Sequence, residues 1–122
     1  MVKRIQTALT AKLCEQERGL AFLDVLNIIS GKWKMIIICT IKFDKMRFSA
    51  IQKLLPDITP RMLSRELKEL ELNSIITRLP QAKNHTTIEY SLTDSAKEIV
   101  DIVMELVSWG VKHRKKYIQD QY

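Results

Sequence analysis

The N-terminal part of the chain mixes apolar and polar residues with the spacing of helices. Its regularly spaced apolar residues are Ile5, Leu9 and Leu13. Because they recur at every fourth position, they predict an amphipathic helix over residues 2–16. Gly19 allows a break, and residues 20–29 predict a second, mostly apolar helix. This helix should end at Ser30-Gly31, because glycine readily takes the left-handed cap conformation.

The next segment predicts a buried element and then a short helix. Residues 32–41 are apolar on nearly all sides, which indicates either a buried helix or a buried strand. The length of the segment and the cap before it favour a helix. A turn at Asp44-Lys45 and a short strand over residues 46–48 follow. Ser49 is the expected N-cap of a helix over residues 50–55.

The sharpest helix start lies directly after this short helix. Pro56-Asp57 ends the short helix, and Thr59 is then expected to cap a new helix with Pro60 at its first position. The new helix should cover residues 60–72 and close at Asn73-Ser74. The two helices are therefore joined by a tight turn.

The C-terminal half predicts a hairpin followed by a long helix. Residues 75–79 and 86–92 are rich in β-branched and aromatic residues, as strands are, and residues 80–85 predict the loop between them. Thr93-Asp94 should cap a helix that reaches about Tyr117. The whole order predicts a mainly α fold with a small β-hairpin, a winged helix-turn-helix.

The helix over residues 60–72 has two chemically different faces. Leu63, Leu67 and Leu70 fall on the core side, and Met62, Glu66 and Glu69 lie at the flanks. The outer face carries Arg61, Ser64, Arg65 and Lys68. Arginine can donate two bonds to guanine, serine and lysine can meet bases or phosphates, and the helix end capped by Thr59 suits phosphate. A solvated basic face is the alternative, but the place of the helix between a short helix and a hairpin favours a major-groove reader.

The hairpin tip adds polar residues, namely Arg78, Lys83, Asn84 and His85. These side chains are candidates for contact with phosphate or the minor groove, and a solvated loop is an equally good interpretation. His85 is not expected to bind a metal, because the only other histidine, His113, is far along the chain and there is no Cys/His cluster.

The last helix is apolar over more than half of its circumference. A helix that packs only on the core of its own small domain needs a narrower apolar stripe. The additional apolar surface therefore predicts packing against a second subunit. The residues expected at this contact are Ile99, Val103, Leu106 and Trp109, together with Ile5, Leu9 and Leu13 of the first helix. A two-fold dimer implies a palindromic DNA site. Alternatively, the two terminal helices pack only on each other within one monomer.

Charge and composition narrow the class of partner. The 122 residues carry 20 Lys and Arg against 14 Asp and Glu, a net charge of +6, which favours nucleic acid first and an anionic membrane surface second. No apolar run is long enough to span a membrane and no signal peptide is evident, so we expect a cytoplasmic protein without a membrane partner. The chain shows no glycine-rich phosphate loop, nucleophile elbow or metal cluster, which argues against an enzyme and against a cofactor.

Five segments together resemble a known family. They are Ser30-Gly31-Lys32-Trp33, Arg47-Phe48-Ser49-Ala50-Ile51, Leu55-Pro56-Asp57-Ile58-Thr59-Pro60-Arg61-Met62-Leu63-Ser64, Leu67-Lys68-Glu69-Leu70-Glu71 and Ile88-Glu89-Tyr90-Ser91-Leu92-Thr93. Their order and spacing are similar to those of the HxlR family of bacterial and archaeal transcription regulators, which share the MarR-like winged-helix architecture. The resemblance covers about residues 20–109. It implies dimers whose two subunits contact each other through the terminal helices. It also implies that these dimers bind operator DNA through Arg61, Ser64, Arg65 and Lys68.

The chain departs from this family at one position. Many members carry a cysteine just before the first core helix, where this sequence has Leu20. Redox sensing by that cysteine therefore does not carry over. Cys14 is a candidate for a displaced sensor, although a bystander thiol is the favoured interpretation. Cys39 lies among isoleucines and is expected to be inert core.

These observations predict a sequence-specific, dimeric DNA-binding transcription regulator in a single domain over residues 1–122. Residues 1–18 should form an arm, residues 20–92 the winged-helix core and residues 93–118 the dimerisation helix. Repression is the expected sign, because small proteins without an activation domain act most simply by blocking polymerase. A small-molecule effector is compatible with the sequence, but no polar constellation identifies it. A winged-helix module that binds another protein is the alternative function.

Overall fold

The computed structural model describes residues 17–42, 44–81 and 84–118, except for the side chains of residues 81 and 84–86. The chain divides into two units, Met1–Met35 and Ile36–Tyr122. The predicted helix over residues 2–16 lies outside the described residues, and with it the predicted contact residues Ile5, Leu9 and Leu13 and the thiol of Cys14.

The first unit contains helix α1, Glu17–Ile29. The predicted break at Gly19 is wrong, because this glycine is buried inside the helix. A glycine costs a helix only about 1 kcal/mol relative to alanine, which does not outweigh the continued backbone hydrogen bonds. The predicted end is confirmed: the Ser30 amide donates to the Leu26 carbonyl at 2.8 Å, and Gly31 takes a φ of 90°.

Helix α2, Lys34–Ile41, continues into the second unit and confirms the helical interpretation of this apolar segment. Ile37, Ile38 and Ile41 are at most 1% exposed. They begin a hydrophobic core that is completed by residues of the following elements. The other core residues are Ile51, Ile58, Leu63, Leu67, Leu70, Ile75, Ile76, Leu92, Ala96 and Val100.

A two-residue strand, β1 (Met46–Arg47), leads directly into helix α3 (Phe48–Leu54). The predicted N-cap Ser49 is wrong, since the helix already begins at Phe48 and Arg47 occupies the cap position without a side-chain bond. The reason is tertiary. Arg47 pairs with Glu89 in the sheet, and this pairing holds the backbone of Arg47 extended. The helix therefore starts at the next residue, Phe48.

Helix α4, Pro60–Leu72, has the predicted bounds. The Thr59 Oγ1 accepts a hydrogen bond from the Met62 amide at 3.1 Å, and Pro60 opens the helix. The chain leaves α4 through Ser74, whose φ of 59° lies in the left-handed region. The Ile75 amide then donates back to the Leu70 carbonyl at 3.0 Å and closes the helix end.

Strands β2 (Ile76–Gln81) and β3 (Asn84–Leu92) form the predicted hairpin, and β1 adds a third strand in the antiparallel order β1-β3-β2. The hairpin is longer than predicted, because Pro80 pairs with Ile88 instead of opening the loop. Proline is tolerated here since β2 is an edge strand whose outer side needs no backbone donor.

Helix α5, Asp94–His113, closes the fold and passes into a π-helical turn, Arg114–Ile118. The predicted cap is confirmed, since the Ala96 amide donates to the Thr93 Oγ1 at 3.2 Å. Thr93 also reaches back to the end of α4. Its amide donates to the Ile75 carbonyl at 3.0 Å and its hydroxyl to the Ser74 carbonyl at 2.9 Å.

Candidate nucleic-acid interface

Helix α4 divides into a buried and an exposed face, as its sequence predicts. Leu63, Leu67 and Leu70 are at most 1% exposed and fix the orientation of the helix on the core. The opposite face is exposed and carries Arg61, Ser64, Arg65 and Lys68. The helix therefore presents three cations and one hydroxyl to solvent on a rigid support.

The guanidinium of Arg65 is only loosely held. Its Nε lies 3.9 Å from the Glu69 Oε1, and the two side chains are 73% and 40% exposed. An exposed pair one helical turn apart contributes well under 1 kcal/mol, so it orients Arg65 without withdrawing it from other partners.

A cleft of about 290 Å³ lies between α4 and the hairpin. Its lining residues are Ser64, Leu67, Lys68, Glu71, Arg78 and Tyr90. The cleft brings Arg78, which stands opposite Tyr90 in the sheet, to the same surface as Ser64 and Lys68. Two cations and a hydroxyl from separate elements thus converge, while the carboxylate of Glu71 adds one negative charge to the lining.

Of the four polar residues predicted near the hairpin tip, Arg78 is the one whose side chain the structure describes. Lys83 lies outside the described residues, and so do the side chains of Asn84 and His85. Their contact with DNA stays a prediction.

The family to which the chain is related agrees with the cationic surface on α4 and the hairpin. Residues 28–118 match the family model for the HxlR-like helix-turn-helix. The chain belongs to the HxlR-like helix-turn-helix family. It is accordingly a DNA-binding transcriptional regulator and not an enzyme.

Individual relatives and solved structures agree with this assignment. The chain is 42% identical over 85 residues, 70% of its length, to an uncharacterised HTH-type transcriptional regulator of Methanothermobacter thermautotrophicus, and the match spans 65% of that relative. It resembles the redox regulator HypR in its oxidised form with 35% identity and a TM-score of 0.64, over 72% of this chain and 91% of that one. A MarR-family regulator from Enterococcus faecalis is 25% identical with a TM-score of 0.73, covering 85% and 94% of the two chains.

The last helix of this HxlR-like regulator exposes a broad apolar surface. Of the predicted contact residues, Leu106 and Trp109 are 59% and 63% exposed, while Ile99 and Val103 are half-buried. Further exposed apolar side chains on α5 are Ile102, Met104, Val107 and Val111. The Trp109 ring stacks on His113 at 4.9 Å between centroids, and Tyr117 continues the row at 5.1 Å. None of the described helices is long and apolar enough to cross a membrane.

The thiol and metal chemistry of the described part is limited. Cys39 is a free thiol. It is half-buried, as is its neighbour Thr40, so the expectation that Cys39 lies fully in the core is wrong. In residues 17–42, 44–81 and 84–118 no three His, Cys, Asp or Glu side chains are grouped to hold a metal ion.

Two residues absent from the predicted set also border these surfaces. Tyr90 lines the α4 cleft, and it also lines a second groove beside Arg47. The sequence offers a weak signal for Arg47, a cation directly before the first helix of the pair, and none for Tyr90, whose position depends on strand pairing.

Proposed function

We propose that the protein is a sequence-specific, dimeric regulator that inserts α4 into the major groove and lays its hairpin against the backbone or the minor groove. The observation that carries the proposal is the exposed cationic face of α4 beside Arg78. Helix-turn-helix proteins place the second helix of the pair in the major groove.

Each group on this face has a role that suits its chemistry. Arg61 and Arg65 are proposed to read bases, because arginine donates two parallel bonds to the N7 and O6 of guanine. Ser64 and Lys68 are proposed to contact bases or phosphates, and the N-terminus of α4 behind Thr59 favours phosphate. Arg78, with Lys83, Asn84 and His85, is proposed to hold the hairpin on the DNA.

Dimerisation is proposed to cover the apolar face of α5. Exposed contiguous apolar surface on a soluble protein marks an interaction site, and a second copy of the chain gives two α4 helices for two successive major grooves. In this arrangement residues 20–92 read DNA, and residues 1–18 and 93–118 join the subunits within a single domain of 122 residues. The dimer would repress by covering a promoter in the cytoplasm, with a small-molecule effector as a further possibility for control.

Redox control is a separate matter. HypR is a redox regulator by name. In this chain the thiols are Cys14 and Cys39, and Cys39 is half-buried on α2. Cys14 remains the candidate sensor, with a bystander thiol as the favoured interpretation.

The proposal is tested by capturing sheared genomic DNA from the source organism on the immobilised protein while salt is raised. We expect a few palindromic fragments that are released steeply with salt, because each neutralised phosphate releases counterions. A double variant, Arg61→Ala with Arg65→Ala, should lose these fragments, and Lys97→Ala, which removes an exposed cation from α5, should retain them. Equal recovery of all fragments would indicate a non-specific binder, and no recovery would support the protein-interaction alternative.

A further inference from the structure

A second groove, of about 370 Å³, lies along the other edge of β3 from the α4 cleft. Its lining residues are Arg47, Phe48, Ser49, Thr87, Ile88 and Tyr90. The groove exists because β1 pairs with β3 only at Met46 and Arg47, opposite Tyr90 and Glu89. Beyond this point the chain turns into α3, so β1 does not extend along Thr87 and Ile88.

The chemistry of the groove suits an anion. Arg47 is exposed, and the hydroxyls of Ser49 and Thr87 stand in the same lining. A guanidinium binds the oxygens of a phosphate in pairs, and hydroxyls donate single bonds to them. None of the described lining residues is acidic, and Glu89 stands opposite Arg47 in the strand register.

The position of the groove in the fold also fits DNA. In helix-turn-helix proteins the first helix of the pair crosses the DNA backbone while the second lies in the groove. Here the first helix is α3, and Arg47 is its N-cap residue. Tyr90 lines both this groove and the α4 cleft, so the two surfaces adjoin.

We propose that Arg47, assisted by Ser49 and Thr87, binds a backbone phosphate of the DNA in this groove. The inference rests on the proposed function, since it adds a contact to the same complex. A phosphate contact carries no sequence information, so Arg47 should raise affinity equally for every DNA and fix the register of α4.

The test needs no knowledge of the operator. Binding of a short random-sequence DNA duplex is followed by fluorescence anisotropy over a salt series, for the wild type, Arg47→Gln and Lys97→Gln. The last variant is the matched control: it removes the same charge from α5, where Lys97 lies 3.7 Å from Asp94. Arg47→Gln should make the fall of log affinity with log salt concentration less steep by about 0.9. A fourfold rise in salt concentration should then reduce the affinity of this variant about 3- to 4-fold less than that of the wild type.

The outcomes separate the two proposals. A wild type without salt-dependent affinity would overturn the proposed function and this contact with it. A salt-dependent wild type with Arg47→Gln indistinguishable from Lys97→Gln would overturn only the contact. If the melting curve shows that Arg47→Gln is unfolded, Arg47→Lys is tested instead. Because lysine keeps the charge, the slope of log affinity against log salt concentration should be retained while the affinity falls. A loss of this slope would contradict the proposal.

Discussion

Thr59 shows how a single side chain determines where α4 begins. Its hydroxyl accepts from the Met62 amide at 3.1 Å, which satisfies one of the amides that an α-helix leaves open at its N-terminus. Pro60 supplies a fixed φ and lacks the amide that would otherwise be unpaired. The residue at which α4 begins is therefore determined by local chemistry.

We predict that Thr59→Ala lowers the free energy of unfolding by about 1 kcal/mol, because the cap bond is lost. Urea denaturation followed by circular dichroism measures the change. Thr59→Ser keeps the accepting oxygen and serves as the control. Equal stability of the alanine and serine variants would show that the cap bond contributes nothing.

The side chain of Arg65 is 73% exposed on the outer face of α4. We predict that Arg65→Ala weakens binding to the operator by about 1–3 kcal/mol and relaxes specificity at one base pair, because a bidentate bond to guanine is lost. Titration of the operator and of single-base mutants of it measures both effects. A uniform loss on all sequences would instead make Arg65 a phosphate contact, and an unchanged affinity would remove it from the interface.

At the scale of elements, the turn between α3 and α4 is held by Gln52. Its Nε2 donates to the Ile58 carbonyl at 2.6 Å and, more weakly, to the Leu55 carbonyl at 3.4 Å. Its Oε1 is buried, with no hydrogen-bond partner among the described residues. Because an unpaired buried oxygen costs free energy, any stabilisation by this amide comes from its donor side, which ties the two helices of the motif together.

We predict that Gln52→Glu destabilises the fold by about 1–3 kcal/mol at neutral pH, since a carboxylate oxygen then faces two carbonyl oxygens. Thermal and urea unfolding give the value. Lys53→Glu introduces the same acidic side chain at the next, exposed position of α3 and should change stability by no more than about 0.5 kcal/mol. Similar losses in both variants would refute a specific role of the Gln52 donor.

The elements differ in how far the sequence alone could predict them. The bounds of α4 and its cationic face follow from local signals, namely the Thr59-Pro60 start and the helical spacing of three leucines. Ser49 failed as a cap because Arg47 is held extended by Glu89, which is distant in sequence. The groove beside Arg47 was missed for the same reason: its lining combines residues separated by about forty positions, and only strand pairing brings them together.

At the scale of the whole molecule, the exposed apolar face of α5 controls assembly in our proposal. We predict that Leu106→Glu converts the dimer into a monomer, because a carboxylate would be buried without a partner at the subunit contact. Sedimentation at micromolar concentration measures the change, and affinity for a palindromic site should fall with it. Glu105→Gln alters the neighbouring polar position and should leave the dimer intact; a monomeric wild type would contradict the dimer altogether.

The bonds made by Thr93 have a mechanical consequence. The residue begins α5 and, through Ser74 and Ile75, also anchors the chain where it leaves α4. Because these bonds join the end of α4 to the start of α5, we expect a rotation of α5 to move α4 with it. In a dimer joined through α5, the angle between the two subunits would set the distance between their α4 helices. This distance must match the separation of successive major grooves, about 34–36 Å. An effector could then release the DNA by altering this separation without touching a residue that contacts it.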